Sequence, residues 1–214
     1  MNRGMFITVE GGEGSGKTSV IARIAKDLKT DGAEVMTTRE PGGIEIAEKI
    51  RAILLDPAHD RMDARTEALL YAAARRQHLV ERVLPALQAG KIVICDRFLD
   101  SSLVYQGIAR GLGLEAVLGV NRFAIGSLMP DLTLLLDVDP EVGLRRIQGD
   151  AGREVNRLDL EGLDFHRKVR EGYLEVARLF PGRIRVVSAE RPLDQVAAEV
   201  RGLLRQKLGG TKNT

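Results

Sequence analysis

The run Gly11-Gly12-Glu13-Gly14-Ser15-Gly16-Lys17-Thr18 constrains the chain more than any other feature. It fills every fixed position of G-x-x-x-x-G-K-[ST], between an apolar run, Met5 to Glu10, and a stretch of helical apolar period, Thr18 to Thr30. Glycines at those positions let a strand turn into a helix so tightly that successive backbone N–H groups face one concave space. The helix adds the positive end of its dipole. A cluster of anionic oxygens fits there, with Lys17 placed to neutralise β/γ-phosphate charge and the Thr18 hydroxyl placed to reach Mg2+. A glycine-rich turn can also serve tight packing alone, but packing gives no reason for Lys-Thr at its end.

The rest of the sequence alternates short β-branched runs with longer helical patterns, the signature of an α/β domain. Strands are expected over Met5 to Glu10, Glu34 to Thr38, Lys91 to Asp96, Asp131 to Asp137 and Arg183 to Ser188, giving a five-stranded parallel sheet. Helices are expected at about Thr18 to Thr30, Ile44 to Leu55, Arg65 to Ala89, Ser101 to Gly107, Glu115 to Ser127, Pro140 to Ile147, Glu161 to Phe180 and Pro192 to Leu208. With 214 residues this reads as one domain over 1–208, followed by a polar tail, 209–214, expected to be disordered. A polar segment at about 149–160, carrying Arg153 and Arg157, reads as a mobile lid, for which a plain solvated loop is the competing reading.

Composition removes several classes of function. The apolar runs are strand-sized, far short of the roughly 20 residues of a membrane helix, and Glu10 breaks the apolar start that a signal peptide needs. A cytoplasmic protein is expected. A net charge of +2 gives no bulk field for nucleic acid. The lone Cys95 excludes an internal disulfide and reads as a small core filler, and the three histidines show no metal-ligand spacing.

A phosphate-binding loop leaves a switch GTPase, a motor ATPase and a small kinase open. No asparagine begins the Asn-Lys-x-Asp reader of guanine, and the chain has no room for the further domain of a motor. Small kinases remain, along with a nucleotide-binding regulator lacking transfer activity. The strand Lys91 to Asp96 ends in a carboxylate at the edge where parallel sheets place their sites, so Asp96 reads as an acid on the metal side. Arg39 and Arg97 follow strands at that same edge and suit an acceptor's phosphate. Tyr71 and Arg75, four residues apart on one helix face, set a flat π surface beside a planar donor. Ser102 and Gln106 add a hydroxyl and an amide where an acceptor nucleoside would lie.

Taken in order, Phe6 to Thr18, Arg39-Glu40-Pro41-Gly42-Gly43, Asp96-Arg97-Phe98 with Asp100-Ser101-Ser102, Tyr105-Gln106-Gly107 and Pro130-Asp131-Leu132-Thr133 resemble the motifs of the bacterial thymidylate kinases. The resemblance covers nearly the whole chain. It implies a P-loop fold with helices on both sheet faces, transfer of the ATP γ-phosphate to dTMP, Mg2+, and a homodimer. By position it implies acceptor-phosphate contacts for Arg39, Arg51 and Arg97, with Glu40 in the same motif, and thymine-edge contacts for Arg75 and Gln106 beside Ser102. Tyr71 stands where the family usually stacks a phenylalanine on thymine, and Glu13 stands near the acceptor sugar. One branch of the family carries an arginine after that carboxylate. Here the residue is Gly14, which resembles the branch whose catalytic arginine comes from the lid, making Arg157 and then Arg153 the expected catalytic arginines alongside Lys17 and Arg97.

Overall fold

The computed structural model describes residues 3–149 and 157–210. Five strands, β1 (Phe6–Glu10), β2 (Val35–Arg39), β3 (Ile92–Asp96), β4 (Leu132–Asp137) and β5 (Ile184–Ser188), form one parallel sheet in the order β2-β3-β1-β4-β5. Each expected strand is present within one residue of its expected bounds. The central strand β1 is buried along its whole length, with Phe6, Ile7 and Val9 apolar and Thr8 and Glu10 buried beside them. On the edge strands β2 and β5 exposed residues interrupt the apolar ones.

The chain crosses β1 between β3 and β4, so the crevice beyond the carboxyl end of β1 lies at a topological switch point. The register brings the strand ends level there, with Val9 opposite Asp96 and Asp96 opposite Arg39. Period-two alternation divides the strand side chains between two cores. Ile7, Val9, Ile94, Leu134 and Leu136 pack under α1 (Lys17–Thr30) and α9 (Leu193–Gly210). Phe6, Val93, Cys95 and Leu135 face the opposite layer, built from α3 (Ala64–His78), α4 (Leu84–Gln88), α5 (Leu99–Ser102), α6 (Leu114–Ile125) and α8 (Leu163–Leu179). The remaining helices are α2 (Glu45–Leu55) and α7 (Pro140–Gln148).

Three boundaries differ from the sequence-based expectation. The helix expected over Arg65 to Ala89 is α3 and α4 joined by a π-helical turn, Leu79–Val83. Pro85 supplies the reason, because it has no N–H to give and its ring crowds the carbonyl four residues back. A second π-helical stretch, Leu103–Ala109, continues α5 and carries Tyr105 and Gln106, both buried. Finally, α9 includes Gly209 and Gly210, where the tail was expected to begin; 211–214 lie outside the described residues. Among the described residues no helix is long and apolar enough to cross a membrane.

Candidate active site

Gly14 and Gly16 shape the phosphate loop with left-handed backbones, φ +68° and +83°. A Cβ on Gly14 would also lie 2.1 Å from the carbonyl oxygen of Gly143 on α7, so no arginine side chain fits at this position without moving that helix. Lys17 opens α1 and folds back over the loop, its Nζ donating to the carbonyls of Gly11 and Gly12 at 3.0 Å and reaching the Ser15 hydroxyl at 3.4 Å. Burial, and then the nearby Arg97 charge, push its pKa below the ordinary lysine value. A phosphate chain replacing those weak carbonyl partners would restore the balance.

From this loop a cleft of about 620 Å3 runs to α3 and the π-helical stretch. It is lined by Glu13 to Thr18, Arg39, Glu40, Arg51, Tyr71, Arg75, Asp96, Arg97, Ser102 and Gln106, so the fold gathers most of the expected site residues around one space. At the loop end, Oδ1 of Asp96 is buried without a hydrogen-bond partner, near the Thr18 hydroxyl that lines the same wall. An orphaned carboxylate oxygen and a hydroxyl are hard oxygen donors, a set that fits a divalent cation such as Mg2+.

The arginines are each held in place by other parts of the chain. Arg97 has a left-handed backbone, φ +67°, unusual for a residue with a side chain. It is pinned by an ion pair with Glu13 at 2.6 Å and by donation to the Gly11 carbonyl and the Tyr173 hydroxyl. Glu13 also accepts from the Tyr105 hydroxyl at 3.3 Å. Arg39 pairs with Glu48 at 2.8 Å, and Arg51 donates to the Pro41 carbonyl at 3.0 Å.

At the far end, Arg75 is fully enclosed. Its Nε donates to Glu40 at 2.7 Å, and its other nitrogens reach the Ser102 hydroxyl, the Asn121 side chain and the Phe98 carbonyl. Glu40 in turn accepts from His78 Nδ1 at 2.9 Å. Tyr71 borders the cleft with its pKa pushed up to about 12, by burial first and the Glu67 charge second, so its hydroxyl stays neutral.

The two lid arginines stand differently. Arg153 lies outside the described residues. Arg157 is not among the residues lining the cleft: it begins a 3-10 turn, Arg157–Leu160, is buried, donates from Nε to the Leu54 carbonyl at 3.0 Å, and forms an ion pair with Glu67. In this conformation it belongs to the wall behind the acceptor end, because a buried guanidinium is held wherever a buried carboxylate meets it.

Sequence reasoning passed over Glu67, Glu10 and Arg146. Glu67 was within reach, since 67, 71 and 75 repeat at four-residue spacing on one helix face. Glu10 is fully buried and accepts from Phe98 N at 2.7 Å, Ser101 Oγ at 2.6 Å and Tyr173 OH at 3.1 Å. Arg146 on α7 donates to the carbonyls of Gly14 and Ala189 and, with Ile147 and Arg191, lines the cleft beyond the phosphate loop. The fold also brings Glu40, His78 and Cys95 within 4.8 Å of one another, a proximity that no spacing announces. Both Glu40 oxygens there are already engaged by Arg75 and His78.

The chain matches the family model described as thymidylate kinase over residues 9–200. It is 58% identical over 205 residues to the thymidylate kinase of Clostridium novyi (strain NT), covering 96% of this chain and all of that one. With the thymidylate kinase of Halalkalibacterium halodurans it shares 59% over 208 residues, 97% of this chain and 99% of the other. The crystal structure of thymidylate kinase from Ehrlichia chaffeensis superposes with a TM-score of 0.77 at 33% identity, over 95% of this chain and 99% of that one. A P-loop opening on an arginine-lined cleft, on a five-stranded parallel sheet, thus comes with sequence agreement over nearly the whole chain: the chain belongs to the thymidylate kinase family, nucleoside-monophosphate kinases that phosphorylate dTMP with ATP to give dTDP in dTTP synthesis.

Proposed function

We propose that this chain carries out its family's reaction within a single P-loop kinase domain, 1–208, in which each named residue has a separable task. ATP lies with its phosphates on Gly11 to Thr18, and its base extends toward Arg146, Ile147 and Arg191. dTMP enters from the other end, its phosphate met by Arg39, Arg51 and Arg97, its sugar beside Glu13, its base on Tyr71 with Arg75 and Gln106 at the thymine edge and Ser102 behind them. An oxygen of the acceptor phosphate forms a bond to the γ-phosphorus while the bond to the β,γ-bridging oxygen breaks, and ADP leaves.

Such a transfer asks for alignment and charge neutralisation more than for a base. Lys17 supplies charge along the β/γ-phosphates, and Arg97, locked by Glu13 and Gly11, fixes the acceptor phosphate in line. Thr18 and Asp96 would hold Mg2+, which when bound neutralises phosphate charge. The lid contributes the remaining cation. Because Arg157 is engaged with Glu67 and Leu54, we assign that part to Arg153 ahead of Arg157. A lid over the cleft excludes water, which would otherwise accept the phosphoryl group.

One observation carries the reading: the phosphate loop and three acceptor-side arginines border a single continuous cleft in one chain. We place the enzyme in the cytoplasm as a homodimer. Its support is the apolar surface of α3 and α6, which pack on each other and leave Leu69 58% and Phe123 94% exposed. A coupled assay for ADP formation over a panel of nucleoside monophosphates tests the reading. Turnover confined to dTMP, with dUMP next, supports it, and an equal or greater rate with dCMP refutes the base assignment.

A further inference from the structure

Glu67 is 1% exposed on α3, and the side-chain partners that the described residues bring to it are donors. Gln106 Nε2 donates to its Oε1 at 2.8 Å, Arg157 pairs with its Oε2, and Arg110 Nε stands 3.6 Å from Oε1. Facing two arginines, which only donate, both Glu67 oxygens serve as acceptors. Gln106, itself 1% exposed and lining the cleft, must therefore present its NH2 to Glu67. The amide is planar, so fixing one end fixes the other, and the carbonyl Oε1 is the end left for a ligand.

We infer that Glu67 sets base specificity by holding the Gln106 amide in the orientation that shows an acceptor, and never a donor, to the base edge. The inference rests on the reading of Gln106 as the residue at the thymine edge. A free glutamine could turn its amide and serve thymine, whose N3 carries a hydrogen, or cytosine, whose N3 does not. Tied to Glu67, it serves only a base that donates at N3. Glu67 touches no substrate and is a positioning residue.

The substitution Glu67→Gln makes the test directional. Arg157, a donor only, takes the oxygen of the new amide, which leaves the NH2 of residue 67 against Gln106 and turns the Gln106 amide around. The kcat/KM ratio of dTMP over dCMP is then expected to fall about 10- to 100-fold, the effect of one mismatched buried hydrogen bond. The ratio of dTMP over dUMP stays at its wild-type value, because those bases share the same polar edge. Both ratios are taken within one protein sample, so a loss of folded enzyme cancels and a merely structural role moves neither. Gln106→Leu is measured beside it. A wild-type dTMP/dCMP ratio in Gln106→Leu overturns the reading of Gln106 on which the inference stands. A collapsed ratio there with a wild-type ratio in Glu67→Gln overturns the role of Glu67 alone. Should the single variant fail to fold, Glu67→Gln with Arg157→Gln removes both charges and frees the amide, and a wild-type ratio in that protein likewise overturns the inference.

Discussion

Replacing Glu10 with glutamine should make the protein more stable, and only above a definite pH. Glu10 sits at the end of the central strand with no exposure, and burial, followed by the like charge of Asp100, raises its pKa from 4.5 to about 7. Between those values the unfolded chain has released a proton that the folded chain still holds. Stability is therefore fully present below about pH 4.5 and is lost as pH rises through 7. A shift of that size corresponds to about 3 kcal/mol at pH 8. Glutamine has nearly the same shape and keeps an oxygen for Phe98 N, while the hydroxyls of Ser101 and Tyr173 can rotate to accept from its NH2. Urea unfolding of both proteins at pH 5 and pH 8, with EDTA and without nucleotide, cancels the carboxylates that do not interact with Glu10 and reads Glu10 together with its neighbour Asp100. The gap in unfolding free energy should shift in favour of Glu10→Gln by about 3 kcal/mol, or roughly 6 to 12 °C in Tm for a chain of this size. A gap that is the same at both pH values refutes the claim that a proton resides on Glu10.

Lys17→Ala should lower kcat at least about 100-fold while the circular dichroism spectrum is unchanged, because the side chain serves phosphate and not the core; near-normal turnover would sink the phosphate-loop assignment. Arg153→Ala should lower kcat far more than it raises KM for dTMP, within the roughly 10³- to 10⁵-fold that arginine fingers contribute. Arg157→Ala should instead lose stability, at most about 3–5 kcal/mol, by leaving Glu67 with Arg110 at 3.6 Å as its remaining cation, and a stable variant with a large kcat loss would move the catalytic role back to Arg157. Phe123→Asp should turn a dimer into a monomer in sedimentation while keeping activity per chain, since the cleft is lined from within one chain; a monomeric wild-type protein at micromolar concentration refutes the dimer.

What could be read from the sequence follows from how local each signal is. The strands were legible because a central parallel strand buries both faces, and the run from Phe6 to Val9 is apolar at three of its four positions. The phosphate loop was legible because its glycines, lysine and threonine must be adjacent to act together. The π-helical turns were less so: Pro85 marks the first, whereas nothing in Leu103–Ala109 separates a π-helix from an α-helix. Spacing could place Glu67 on the helix face of Tyr71 and Arg75, but its burial was illegible. An acidic residue near a helix start is ordinarily a solvated one, and its two partners, Gln106 and Arg157, lie 39 and 90 residues away. The pairing of Arg157 was illegible for the same reason, because a charged residue in a polar segment gives no sign that a buried carboxylate on α3 awaits it.

The pairings divide the arginines by task. Arg75 and Arg157 are 2% and 9% exposed and are matched by carboxylates as deeply buried, Glu40 and Glu67. Taking such pairs out of water costs more than their attraction returns in most proteins, so they are poor devices for stability and good ones for fixing which atom points where. They stand around the base end, where one donor or acceptor out of place exchanges one pyrimidine for another. Arg39, by contrast, is 52% exposed and paired with Glu48, itself 40% exposed. A pair that water still reaches is weaker and easier to remake, and a phosphate with two charges can take the arginine from its carboxylate. On the roles proposed above, the acceptor end reads polarity with buried pairs that hold still, and at Arg39 it binds charge with an exposed pair that gives way.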